Sequence, residues 1–194
     1  MSSKEDLTNL IRKMQTIVSI LLFFIISLFC WKTTGLEVKE IQISHWGAKD
    51  MTYSWLWNGV IILLSISILF NNILFIKQHH RLKNKTIPYI LFSFVGLNLF
   101  LVGVFNIEYG ILHDLPAWVY FFSYPLSVFI MAYLNRGSLL YREWFTHLIF
   151  SIAMIVLPIS FMSLFDGLAI PEIVHSSIVS LWNIHTAFKR FDII

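Results

Sequence analysis

MTYSWLWNGVIILLSISILFNNILFI, residues 51–76, runs without a charged side chain from Asp50 to Lys77. A helix rises about 1.5 Å per residue, so about 20 apolar residues cross a hydrocarbon core of about 30 Å. This run is long enough, and its most polar members, Asn58, Asn71 and Asn72, are uncharged. It reads as a transmembrane helix. Similar uncharged runs occupy 14–31, 86–107, 115–135 and 144–165. A shorter one, 173–188, extends back to Gly167 through GLAIP if Glu172 lies near the surface. The expectation is an all-α integral membrane protein. It is a single polytopic domain over 1–194, a compact bundle of six transmembrane helices at about 14–33, 54–76, 86–107, 116–134, 144–165 and 168–188. Five helices is the alternative.

Composition agrees. Hydrophobic residues make up 57% of the chain and charged residues 13%, against about 25% charged in soluble domains. A soluble domain is thereby excluded. A net charge of +3 gives no reason to expect nucleic-acid binding. Cys30 is the single cysteine, so an internal disulfide is excluded. Lys4, Arg12 and Lys13 before an apolar run resemble a signal peptide, but no small-residue cleavage pattern follows Cys30-Trp31. The run is read as a retained first helix.

Six spans put Lys4, Arg12, Lys13, Lys77, Arg81, Lys83, Lys85, Arg136, Arg142, Lys189 and Arg190 on one side, eleven of the 14 basic residues. Lys32, Lys39 and Lys49 take the other. Basic loops stay in the cytoplasm, so a multi-pass protein of the cell (inner or plasma) membrane with both termini cytoplasmic is expected. Glu37, Glu40, Asp50, Glu108, Asp114, Asp166 and Glu172 gather on the external side. The plain explanation is loop solvation; the sharper one is a site.

In the first external loop, LEVKEIQIS (36–44) alternates apolar and polar residues, which suggests a short strand or β-hairpin. Trp46, Tyr53, Trp55, Trp57 and Trp118 fall where an interfacial aromatic belt is expected. Pro88 and Pro116 sit near helix starts, whereas Pro125 and Pro158 fall inside helices and should kink them.

Catalytic motifs are absent: the sequence has no HExxH, CxxC, GxSxG or phosphate loop, and nothing calls for a cofactor. The HxxxH pair of intramembrane metal hydrolases is missing, since His175 and His185 lie ten apart. His79, His80, Arg81, Lys83 and Lys85 form a basic cytoplasmic loop suited to lipid headgroups or a protein partner. His45, Glu108, His113, Asp114, Asp166 and Glu172 come from three external loops. Imidazole and carboxylate can bind a metal, pair as acid and base, or simply tie loops together; the sequence leaves these open.

Three stretches resemble a prokaryotic six-helix membrane family known as domain of unknown function 998, itself distantly similar to the Frag/DRAM/Sfk group. ISHWGAKDMTYSWLWNGVIILLSI (43–66) is similar to the family's S-x-x-G loop and aromatic, Asn-marked helix start. VGVFNIEYGILHDLPAWVYFFSYPLS (102–127) resembles a G-x-F … H-x-x-x-A … F … P pattern through Gly103, Phe105, His113, Ala117, Phe121 or Phe122, and Pro125. DGLAIPEIVHSSIVSLWNI (166–184) is similar to a closing G-x-x-x-x-E … W segment. Asn106 and Asp114 depart from the family's usual Pro and Asn. The resemblance implies the fold and carries no settled function.

Three functions are weighed. The first is non-enzymatic: a lipid or small molecule binds in an external cleft between helices two, three, four and six. His45, Asn58, His113 and Glu172 would form its polar rim, with Trp55, Trp57, Trp118 and Phe122 as walls. Gly103, Ala117 and Pro125 join this candidate set through the resemblance. The second is a hydrolase using the same His/carboxylate cluster, with or without a metal. The third is a sensor or assembly subunit in stress or defence, acting through a protein partner or a homo-oligomer.

Overall fold

The computed structural model describes residues 3–35 and 41–189. Six helices follow one another: α1 (Ser3–Thr34), α2 (Ser54–Gln78), α3 (Thr86–Val104), α4 (Ile111–Leu134), α5 (Tyr141–Met162) and α6 (Ala169–Phe188). Each packs on its neighbour in sequence; α6 closes the ring against α1 and also touches α2. Five of them, over 7–34, 54–78, 86–104, 111–134 and 141–162, are long and apolar enough to cross a membrane. α6 is as long as a crossing requires, about 30 Å, but carries more polar residues. His175, Ser180, Asn183 and Thr186 are all buried.

The bundle is apolar outside, and its interior sets polar side chains among an apolar core that includes Phe23, Phe75, Phe92 and Trp182. Ile25, Trp55, Ile90, Ile111 and Leu181 are more than half exposed, while Ser19, Ser65, Ser67, Ser127 and Ser151 are buried. Lipid is as apolar as leucine, so burying leucine gains little there. Small and hydrogen-bonding residues draw the helices together instead. A Cβ on Gly103 would come within 3.0 Å of the Ile62 backbone nitrogen and 3.1 Å of the Asn58 carbonyl, so its absence lets α3 lie directly on α2.

The centre of the interior is an amide–phenol node. Asn183 Nδ2 donates to the Tyr124 hydroxyl at 2.7 Å, and Asn72 Nδ2 reaches the same oxygen at 3.1 Å. Asn71 Nδ2 donates to Asn183 Oδ1 at 2.9 Å and to Thr186 Oγ1 at 3.0 Å. The node joins α2, α4 and α6, and all five side chains have no solvent exposure. Phe92 stacks on Trp182 beside it, with ring centroids 5.5 Å apart.

One end of the bundle is sealed by charge. Arg12 of α1 donates to Gln78 Oε1 at 2.9 Å and to the Ala187 carbonyl at 3.0 Å. Lys189 pairs with Glu143 of α5 at 2.7 Å, and its Nζ lies 3.2 Å from His79 Nε2. Asn135 at the end of α4 bonds both backbone groups of Asn84, which fixes the α2–α3 loop. Burial, then the charge of Lys189, holds His79 down to about 4.

The other end holds the acidic loops, and two expectations change here. The strand or hairpin over 36–44 lies partly outside the described residues. From Ile41 onward the backbone pairs with the start of α6 instead: Ala169 N–H donates to the Ile41 carbonyl (2.8 Å), and Ile43 N–H donates to Glu172 Oε2 (2.8 Å). Ile43–Gly47 is consequently a 3₁₀ turn, and no strand occurs among the described residues. α3 stops at Val104, because Asn106 Oδ1 accepts from Glu108 N–H and starts a second 3₁₀ turn, Ile107–Tyr109. Gly110, at φ +55°, then turns the chain into α4, which places Pro116 inside that helix.

Asn183→Leu should lower stability in detergent by about 2 kcal/mol, since it orphans partners on two other helices. Asn98, whose amide bonds only the Phe94 carbonyl of its own helix, should cost well under about 1 kcal/mol as Asn98→Leu. Paired chemical-denaturation curves check the difference. His79 resists protonation when folded, so the unfolded state binds the extra proton between about 6.5 and 4. Stability should therefore fall as pH drops through that window. His79→Gln should flatten the fall in melting curves taken across it.

Candidate functional site

Between α2, α3, α4, α6 and the Ile43–Gly47 turn lies an open-mouthed hollow. A second hollow adjoins it, reaching Trp118 of α4, Met162 of α5 and Leu168. His113, Ala117, Phe121 and Glu172 line both, and the two neighbours together make up the cleft.

Helical spacing builds its walls. From α4 come His113, Ala117, Tyr120 and Phe121, one face at successive turns. From α2 come Trp57, Asn58, Ile61 and Leu64; α3 supplies Leu99 and Val102. From α6 come Glu172, His175 and Ser176, again a single face. Trp57, Tyr120, Phe121 and the aliphatic residues make the walls apolar. No lysine or arginine borders either hollow.

Both imidazoles are held by main-chain carbonyls. His113 Nδ1 lies 2.6 Å from the Phe105 carbonyl, and His175 Nδ1 lies 3.0 Å from that of Met154. A carbonyl only accepts, so each Nδ1 carries the hydrogen. His175 also stacks on Phe121 with centroids 4.3 Å apart. Its Nε2 is buried with no protein partner.

The candidate residues separate into distinct groups. Asn58, His113, Ala117, Trp118 and Glu172 border the cleft. The amide of Asn58 also donates to the Gly47 carbonyl at 3.1 Å. His45 does not border it: its ring folds back on Gln42, with Nδ1 3.2 Å from that residue's carbonyl, and caps the turn. Gly103 serves the α2–α3 contact. Pro125 is buried on the α5 side, its carbonyl accepting from Ser151 Oγ at 2.9 Å. Phe122 is 49% exposed and Trp55 72%; both face outward, and Phe121 takes the wall position because α4 turns it inward.

The cluster of acids and histidines is likewise divided. Glu108 accepts from Lys49 N–H at 2.9 Å and pairs with its Nζ at 3.5 Å, closing a loop. Asp166 is exposed, and Asp114 borders the second hollow. Among the described residues no three His, Cys, Asp or Glu side chains are grouped to hold a metal ion. At the basic end, His80 and Lys83 are exposed and Arg81 and Lys85 half-buried, but His79 is buried and unavailable to headgroups. It is withdrawn because it packs on Phe75 and meets Lys189.

His175 is the functional candidate that sequence reasoning set aside. The signal was its place one turn after Glu172, on the same face of α6.

No curated protein and no solved structure gives a match to this chain. A family model does match, over residues 17–189. The stretch covers all but the beginning of α1 among the helices and includes every residue of the cleft. The chain thus belongs to the family described as "Protein of unknown function (DUF998)".

Proposed function

We propose that this protein is a non-enzymatic, six-crossing protein of the cell membrane that holds an amphiphile, a lipid or lipid-like small molecule, in the cleft at its acidic end. The carrying observation is the cleft itself: an apolar, aromatic-walled hollow with a few placed polar groups, His113, Glu172 and His175. Binding sites for small molecules have this make-up. Main-chain carbonyls hold both histidines in fixed tautomers, which suits orienting a ligand as well as fixing helices.

The sixth crossing is α6. Its low hydropathy arises from side chains turned into the bundle, and its ends reach both faces. Ala169 bonds Ile41 at one, and Lys189 meets Glu143 at the other. The gathering of basic residues at the sealed end supports an orientation with that end and both termini in the cytoplasm and the cleft outside.

Two measurements test this reading. Native mass spectrometry of the purified protein should show a co-purified amphiphile, and Ala117→Phe, which fills the shared wall, should remove it while leaving the melting temperature within a few degrees. Repeated preparations without any bound amphiphile would contradict the reading. In intact cells carrying Cys30→Ser, Asp166→Cys should react with a membrane-impermeant maleimide and Lys83→Cys should react only after permeabilisation. The reverse pattern would invert the topology.

A further inference from the structure

We infer that the cleft selects an amphiphile with a primary-amine head and rejects anionic heads. This rests on the reading that the cleft holds an amphiphile, and it adds which head is taken.

The hydroxyls of Ser44, Tyr120 and Ser176, which donate or accept, line the cleft; beside them stand two imidazoles and a carboxyl group placed to accept. With Nδ1 of His113 and His175 bound to carbonyls, each neutral ring keeps Nε2 as its remaining polar atom, a lone-pair acceptor. That of His175 is fully buried and without a protein donor. A buried acceptor left unmatched is costly, so a donor from a ligand would be well used here. Glu172 spends Oε2 on Ile43 N–H. Among the described residues Oε1 accepts no hydrogen bond, and no lysine or arginine borders the cleft, so an ammonium head would supply the counter-charge that lets this buried acid ionise. One N–H of the Asn58 amide donates to the Gly47 carbonyl, which leaves the other.

A phosphate or carboxylate head would meet this carboxylate and two acceptors with no basic side chain to offset it. A hydroxyl brings one donor. A quaternary ammonium brings charge but no N–H. A primary ammonium brings three N–H donors and the counter-charge for Glu172. Trp57 and Phe121 line the same hollow, where aromatic rings attract a cation. Phe23, Ile61, Leu64 and Leu99 remain for the alkyl chain. A metal ion does not suit the same groups, which are not gathered as ligands.

The test uses the full-length protein in a neutral maltoside detergent. Decylamine, decanol, decanoate and decyltrimethylammonium are titrated against intrinsic tryptophan fluorescence and the melting temperature. Decylamine should bind saturably and about tenfold or more tighter than decanol, with decanoate weakest. Glu172→Gln keeps an acceptor for Ile43 N–H but loses the charge; it should reduce decylamine to the level of decanol. His175→Phe should weaken decylamine severalfold. Phosphatidylethanolamine, whose amine carries a phosphate with it, should fail to displace decylamine. If decanol or decanoate matches decylamine, or the lipid displaces it, the head-group assignment falls while the cleft stands. If none of the four binds saturably, the cleft reading falls as well. Should Glu172→Gln fail to fold, the ranking of the four heads on the native protein still decides.

Discussion

Inside a bilayer an amide that is not bonded to another part of the protein has no water to turn to. The node around Asn183 answers that constraint, and the arrangement of the helices follows from it. Asn183 on α6 touches Tyr124 on α4 and Asn71 on α2. These three helices must therefore converge at one depth, and α1, α3 and α5 fill the sides. The node also explains how α6 can be polar and still run beside five apolar helices, since its amides and hydroxyls point inward at partners.

The two ends of the bundle treat polar groups differently. At the basic end Arg12 bonds Gln78, Lys189 pairs with Glu143, and Asn135 ties α4 to the α2–α3 loop through Asn84. At the acidic end the cleft lies between the helices, and loop contacts add to the helix contacts that hold them. Glu172 reaches the backbone of Ile43, and Glu108 reaches that of Lys49. Carboxylates that seemed equivalent as loop charges thus do different things: Glu108 closes a loop, while Glu172 closes one and also faces a hollow.

The number, order and approximate bounds of the helices were legible in charge-free runs, because desolvating a charge is costly enough to mark each boundary. The cleft was legible in part. His113, Asn58 and Glu172 stood out by type and position and Ala117 through the family pattern, and all four line one hollow. What failed depended on rotation about a helix axis. Phe121 and Phe122 are adjacent, and only packing decides which one faces inward. Trp55 and Trp57 are two apart, and they end on opposite sides of α2. His45 and His79 looked available as polar residues in loops, but a turn cap and a buried contact with Lys189 occupy them. His175 was overlooked because a lone histidine in an apolar run is most simply a packed core residue. Its carbonyl partner, Met154, lies on a different helix that no spacing rule connects to it.

The central claim is that the hollow between Trp57 and Phe121 is a site for an amphiphile rather than a packing defect. A high-resolution map of the protein extracted from its own membrane tests it most directly. The account expects an elongated non-protein density along Ile61, Leu64 and Leu99, with its polar end at His113, Glu172 and His175. A map in which side chains close the hollow, or in which it holds only discrete waters, would contradict it.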